Sequence, residues 1–385
     1  MNFGFAKEEL EFKEGIRSFL ETNIDEQVEK ECRHWIAASP GGPYTKELLM
    51  KMGERGWLTP SWPKEYGGLG LSPIYQYIVV EEMDYAGIWA PLGCTIMGPT
   101  IIKCGSEDMK RKYLYRIAKG QIYFALGYTE PNAGSDLSNV KIRAERKNTH
   151  YVINGAKIFN THCHLADYHW LLAITNPEAK PIHRGMSLFI VDLKSPGITV
   201  NPIFSIADER TNEVFYDAVK VPAANIVGEE NRGFYYVMED LEYERTFTAG
   251  GVQRMFEDLL SYIETAHDGR LKSDPLVRYN VAKLATDIEV GRLLYWKTGC
   301  LLNKNRSLSF ESSMVKVFIS ELMQDLSEFA LKITGLQGQL KEGSPWSVLS
   351  GKAELRARQN VVQTIWGGTN EICRNVIANR ALGMK

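Results

Sequence analysis

The sequence predicts an α+β chain, helical at both ends with a β-rich module between, and three observations carry that reading. From Phe5 to Leu20, apolar residues recur at three and four spacing among Glu, Lys and Arg, the period of an amphipathic helix. After Gln121 the apolar segments become short, β-branched and bounded by Gly, Pro and Asn, as half-buried strands are. From Gly233 onward the long helical period returns.

In chain order, a second helical stretch runs near Thr45 to Gly56 and a third from about Pro73 to Ala86. Pro60, Pro63, Gly67, Gly68 and Gly70 interrupt the pattern between them. Residues 1–120 therefore read as an N-terminal all-helical domain. Tyr151 to Ile158, Trp170 to Thr175, Met186 to Leu193, Ile198 to Phe204 and Glu213 to Val221 read as strands of a central β-domain over 121–232. Residues 233–385 read as a C-terminal helical bundle, with breaks near Gly269 to Pro275, Asn303 to Ser309 and Gly335 to Pro345.

This order disfavours a doubly wound nucleotide fold, in which strands and helices alternate throughout. The Gly67 to Gly70 segment follows a Trp-Pro turn and lacks a third glycine in register, so it reads as a structural turn and not as a dinucleotide fingerprint. A nucleotide cofactor would have to be held some other way.

With 385 residues, 44% hydrophobic and 24% charged, the chain can bury a large core in two or three packed modules. A formal net charge of -2 argues against nucleic acid or a membrane surface as partner. The six cysteines, Cys32, Cys94, Cys104, Cys163, Cys300 and Cys373, have no paired short spacing and follow no secretory leader, so free thiols in a reducing compartment are expected. No apolar run approaches the roughly 20 residues that span a bilayer. The expected location is cytoplasmic.

Three segments carry candidate chemistry. Tyr128-Thr129-Glu130-Pro131-Asn132-Ala133-Gly134-Ser135-Asp136 is a loop of hydroxyls and backbone donors before the β-module; it could approach a planar cofactor, or be a simple Asx or Ser turn. In Asn154-Gly155-Ala156-Lys157-Ile158-Phe159-Asn160-Thr161, Phe159 and Thr161 would share one strand face, the ring covering a ligand and the hydroxyl bonding its edge. The alternative is an ordinary inward-facing pair. In Thr364-Ile365-Trp366-Gly367-Gly368-Thr369-Asn370-Glu371-Ile372, the double glycine permits close backbone approach and the following residues can cap a helix. A plain helix-turn-helix joint would also account for it. Thr161-His162-Cys163-His164 has potential ligands, but alternating strand residues face opposite ways and no second pair is present, so no metal is expected.

Taken together, in this order and at these intervals, the segments resemble the acyl-CoA dehydrogenase family over essentially the whole chain. The pattern extends to Trp62 to Gly70, Gly98-Pro99-Thr100, Val221-Pro222 with Gly228, and Arg380 to Leu382. The resemblance implies a helical N-terminal domain, a central β-barrel-like domain and a C-terminal four-helix bundle. It implies FAD, with Tyr128, Thr129, Phe159 and Thr161 along the isoalloxazine, Leu126 contributing backbone contacts, and Trp366, Thr369 and Glu371 bordering the flavin. Ser135, Tyr243 and Arg245 would meet the acyl-CoA substrate. Lys332 and Gly335 match positions that contact the ADP half of FAD in a neighbouring subunit, which implies a homo-oligomer, a dimer or a homotetramer. Electron-transfer flavoprotein is the implied electron acceptor, and the step is of the β-oxidation type.

Dehydrogenation requires an anionic base beside the α carbon, and a carboxylate in a dry, apolar site suits the task because its basicity rises there. In many relatives the base follows the aromatic residue of the C-terminal motif, where this chain has Gly367. A second branch, of isovaleryl- and long-chain-type enzymes, places a glutamate before an arginine on the helix opening the C-terminal domain. Glu244-Arg245 with Ala249-Gly250-Gly251 matches it, making Glu244 the expected base and the Gly367 N–H an expected donor to the thioester carbonyl. Without the match, Glu244 would read as a solvated helix charge. The chain departs from the family in lacking an Arg-x-x-Phe-Gly segment near Gly269, where Arg270 is the candidate replacement at the FAD pyrophosphate. Phe159 stands where tryptophan is usual. Three alternatives stay open: a subunit that binds FAD incompletely and relies on a partner, a flavin oxidase of the same fold, and a non-enzymatic helical scaffold or binding module.

Overall fold

The computed structural model describes residues 4–33 and 41–384, and its chain contacts separate into two units, residues 1–79 with 88–244 and residues 80–87 with 245–385.

In the first unit, α1 (Lys7–Asn23) starts where the Glu9 carboxylate accepts the Ala6 N–H at 2.8 Å and buries Ile16 and Leu20. It is followed by α2 (Glu26–Arg33), α3 (Pro43–Glu54) and α4 (Pro73–Tyr85), the last crossing from one unit to the other at Val80. The turn between α3 and α4 is built on Trp62. A Cβ on Gly68 would lie 2.2 Å from the Trp62 carbonyl oxygen and one on Gly98 only 1.9 Å from its ring, so both glycines are required by close approach. Gly98 opens α5 (Gly98–Cys104), and Ser106 caps α6 (Glu107–Ala118), its hydroxyl accepting from the Met109 N–H at 3.2 Å.

Among the described residues, eight strands then form one mixed sheet: β1 (Phe124–Gly127), β2 (Arg143–Lys147), β3 (His150–Lys157), β4 (Tyr168–Ile174), β5 (Met186–Asp192), β6 (Ile198–Phe204), β7 (Arg210–Pro222) and β8 (Ile226–Val227). The order is β6-β7-β3-β2-β4-β5-β8, with β1 pairing parallel to β4, Phe124 opposite Tyr168. Strand β4 is apolar along most of its length because it is covered on both faces. Tyr151, Ile153, Leu171, Phe189, Val214 and Val219 are among the core residues that the sheet contributes. The unit closes with α7 (Gly233–Glu244).

The second unit holds α8 (Gly250–Thr265), α9 (Arg270–Ser273), α10 (Pro275–Asn303), α11 (Glu311–Thr334), α12 (Lys352–Gln359) and α13 (Asn370–Leu382). Helix α10 begins where Asp274 accepts the Leu276 and Val277 N–H groups at 2.7 and 3.1 Å, with Pro275 in the first turn. Gly291 lets α10 and α11 approach closely, since a Cβ there would meet Ile319 at 2.5 Å. Among the described residues no helix is long and apolar enough to cross a membrane.

Two expectations need correction. Strand β3 ends at Lys157, and Phe159 and His162 both have positive φ, 58° and 62°. Residues 158–164 are therefore a turn, and neither the shared strand face of Phe159 and Thr161 nor strand alternation over His162 to His164 applies. Strands β1, β2 and β8 and helices α2, α5 and α6 carried no clear sequence signal. The β2 sequence Arg-Ala-Glu-Arg-Lys lies extended because β3 pairs along it from Arg143–Asn154 to Lys147–His150; pairing overrides propensity there.

Candidate active site

In the first unit, the loop after β1 is anchored by a buried ion pair. The Lys157 ammonium, 0% exposed, donates to Glu130 Oε1 at 2.9 Å and to the Tyr128 carbonyl at 2.8 Å. Glu130 in turn accepts the Lys141 and Ile142 N–H groups at 2.6 and 3.0 Å. Burial pulls the Lys157 ammonium down, and Glu130 pulls it back toward the charged form. The Ile158 N–H donates to the Thr129 carbonyl at 2.9 Å, so Tyr128, Thr129 and the segment leading to Phe159 are joined. Sequence reasoning missed this clamp. The available signal was Lys157 two residues before Phe159 and Glu130 two after Tyr128.

The adjoining turn presents a ring. Asn160 is buried, its amide donating to the Leu126 carbonyl at 2.8 Å, while its own carbonyl accepts from the Asn212 amide at 2.8 Å. Pinned at Asn160, the turn leaves Phe159 60% exposed. Thr161 is half-buried, with its hydroxyl 3.3 Å from that of Thr211. Leu126 is half-buried and its carbonyl is engaged by Asn160. Ser135 is exposed in the loop beyond Tyr128. Burial pushes His162 down to about 3 and His164 down to about 4, keeping both imidazoles neutral.

Helix α7 brings its last turn to Tyr128. Asp240 is wholly buried and accepts from Thr100 at 2.5 Å, Tyr128 at 2.9 Å and the Trp170 indole at 2.9 Å. Glu244, one turn further, is half-buried. The Tyr128 phenol is held far above its ordinary range by burial, then by the charges of Asp240 and Glu244. Tyr128 and Glu244, chosen on separate motifs, are thus electrostatic neighbours. Tyr243 is 38% exposed on the same turn.

In the second unit, buried Arg245 donates from Nε to the Gly367 carbonyl at 2.7 Å. A Cβ on Gly368, whose φ is +92°, would lie 2.9 Å from the guanidinium, so the double glycine accommodates both the turn and the arginine. Trp366 packs on Phe247, ring centroids 5.3 Å apart, and donates to Gln363 at 2.9 Å. Thr369 is spent as the cap of α13, accepting from the Ile372 N–H at 3.2 Å. Glu371 is exposed, and its carboxyl lies below the usual range because its own backbone N–H and Thr369 bond it. Asp84 ties down the segment after Arg245, accepting from Thr248 at 2.6 Å and the Gly251 N–H at 2.7 Å. Arg270 opens α9, while Lys332 and Gly335 stand at the end of α11, all three exposed and on elements other than the Trp366 turn.

The first unit thus holds a half-buried acid at the end of α7, the exposed Phe159 ring and the half-buried Thr161 beside it. The chain matches the models of the acyl-CoA dehydrogenase N-terminal domain over residues 6–121, middle domain over 125–219 and C-terminal domain over 231–382. The protein belongs to the acyl-CoA dehydrogenase family, flavoprotein oxidoreductases that carry FAD and act on CH–CH groups.

It is 33% identical to acyl-CoA dehydrogenase FadE26 of Mycobacterium tuberculosis, covering 100% of this chain and 99% of that one. It is 31% identical to the mitochondrial long-chain specific acyl-CoA dehydrogenase of Sus scrofa over 97% of this chain and 86% of that one. Among solved structures, the Tcur3481-Tcur3483 steroid ACAD matches with a TM-score of 0.92 at 32% identity, covering 100% of both chains. The ChsE4-ChsE5 complex from Mycobacterium tuberculosis matches with a TM-score of 0.90 at 32% identity, again over the whole of both chains. The residues present are compatible with FAD: the exposed Phe159 ring leaves an aromatic face uncovered, with the half-buried Thr161 two residues on.

Proposed function

We propose that this enzyme dehydrogenates an acyl-CoA thioester across its α and β carbons to the 2-enoyl-CoA, with Glu244 as the base that takes the α proton. The observation that carries the reading is the position of Glu244, half-buried at the end of α7 and near enough to Tyr128 for its charge to act on the phenol. A carboxylate withdrawn from bulk water is the stronger base, because less hydration is lost when it accepts a proton.

Tyr128, Thr129, Phe159 and Thr161, with the Leu126 backbone, would hold the isoalloxazine of FAD, and Trp366, Thr369 and Glu371 would border it. FAD, when bound, supplies the hydride acceptor at N5. The Gly367 N–H would donate to the thioester carbonyl, stabilising charge as the α proton leaves. Arg245 would serve the substrate by holding the Gly367 turn, with Tyr243 and Ser135 toward the coenzyme A portion. Arg270, Lys332 and Gly335 would meet the ADP half of FAD in a homo-oligomer, with electron-transfer flavoprotein as acceptor.

The Glu244→Gln variant is expected to retain FAD and lose turnover by several orders of magnitude; turnover close to the parent's would reject the assignment. Anaerobic bleaching of the flavin across straight, branched, dicarboxylic and steroid side-chain CoA esters identifies the acyl group. A second reading is favoured by two observations: one of the matched structures is the ChsE4-ChsE5 complex, of differently named chains, and this chain lacks the family's Arg-x-x-Phe-Gly segment. In that reading the chain carries full FAD only with a different partner subunit. Flavin stoichiometry near one per chain after purification alone would exclude it.

A further inference from the structure

Asp240 has no part in the reaction proposed above, yet it is 0% exposed and lies one helical turn before Glu244. Its three hydrogen-bond donors, the Thr100 hydroxyl, the Tyr128 phenol and the Trp170 indole, are all neutral. Neutral donors need an acceptor and not a charge, so an asparagine could still accept from two of them and donate to the oxygen of the third. A buried carboxylate without a cation is costly, and the nearest cation on α5, Lys103, is paired with Glu239 at 2.5 Å. The remaining titratable groups around Asp240 are Cys104 from α5, Tyr128 beyond β1, and Glu239, Tyr243 and Glu244 on its own helix.

Residues four apart share a helix face, so Asp240 and Glu244 point the same way and Tyr128 interacts with both. Thr100 on α5, Tyr128 beyond β1 and Trp170 on β4 grip α7 from three elements. We infer that Asp240 is a positioning residue for the Glu244 base, its buried carboxylate locking the rotation of α7 through Thr100, Tyr128 and Trp170 while setting a like charge one turn from Glu244. The inference rests on the proposed role of Glu244.

Burial pushes the Asp240 carboxyl up to about 6 against the pull of its three donors, so its charge appears as pH rises through about 6. Once charged, it disfavours a second negative charge at Glu244 and moves the pH at which that base becomes available upward. The Asp240→Asn side chain can keep every contact, its oxygen accepting from Tyr128 and Trp170 and its amide donating to the Thr100 oxygen.

The experiment compares the parent, Asp240→Asn and Glu244→Gln holoenzymes over pH. Asp240→Asn is expected to keep its flavin and fold while the acidic limb of kcat/KM moves down by about one pH unit. A second readout is infrared difference titration of Glu244→Gln, in which a buried carboxyl C=O band titrating near pH 6 should vanish on adding Asp240→Asn. Superimposable acidic limbs for parent and Asp240→Asn, with Glu244→Gln inactive, would overturn the inference while leaving the base in place. Full activity of Glu244→Gln would instead remove the base assignment itself. Asp240→Ala, which strands three donors, should lose turnover that Asp240→Asn retains; equal activity of the two would also count against a positioning role.

Discussion

Arg245 Nε donates to the Gly367 carbonyl at 2.7 Å, so the residue after the proposed base holds the turn that presents Trp366 and Gly367. A charge-assisted hydrogen bond in a buried setting contributes about 1.5–3 kcal/mol. Arg245→Ala is therefore expected to lower kcat/KM by about 10- to 100-fold, with KM for the thioester rising. Arg245→Lys should recover only part of this, because an ammonium cannot reproduce the guanidinium's fixed fork against Gly367 and Gly368. Steady-state kinetics on the three proteins decide it, and an unaltered Arg245→Ala would mean that the turn holds itself.

The Lys157 and Glu130 pair makes a stability prediction. Lys157→Met strands a carboxylate that is 6% exposed, which costs about 3–5 kcal/mol. The double variant Lys157→Met, Glu130→Gln should regain part of that loss, since no unpaired charge is left buried. Urea unfolding of both measures it; a single variant as stable as the parent would show the ammonium to be dispensable.

Gly98 faces the Trp62 ring with no room for a methyl group. Overpacking of this kind costs about 1–3 kcal/mol, so Gly98→Ala should unfold at lower urea concentration with an unchanged slope. An unshifted midpoint would mean that Trp62 moves freely aside.

Asp240 also ties stability to pH. Its carboxyl stands at about 6 in the fold against 3.8 as its ordinary value, so the folded state binds this proton more tightly than the unfolded chain does. The stabilisation is fully present below pH 3.8 and is lost as pH rises through about 6. The difference in unfolding free energy between parent and Asp240→Asn should therefore move against the parent by about 3 kcal/mol between pH 3.5 and 7, the order implied by a shift of about two units. A pH-independent difference would mean that Asp240 titrates as it does in water.

Much of the fold was legible because its signals are local. The helical period that begins at Phe5 became α1, the β-branched segments became β3 to β7, and the Gly269, Asn303 and Gly335 breaks bound α10 and α11. Strand β2 was not legible, because five mostly charged residues become a strand only through β3. The turn at Phe159 escaped for a related reason: its positive φ is imposed by Asn160 reaching Leu126 and Asn212, residues distant in sequence.

The sequence by itself determined the order of helices and sheet, the family, and the Glu244-Arg245 and Trp366-Gly367-Gly368 motifs, since periodicity and short motifs are written in neighbouring residues. Only the tertiary structure decided that Tyr128 faces Asp240 across 112 positions and that Arg245 reaches Gly367 across 122. Those pairings depend on how buried polar groups find partners once water is excluded, and burial is a property of the packed chain as a whole.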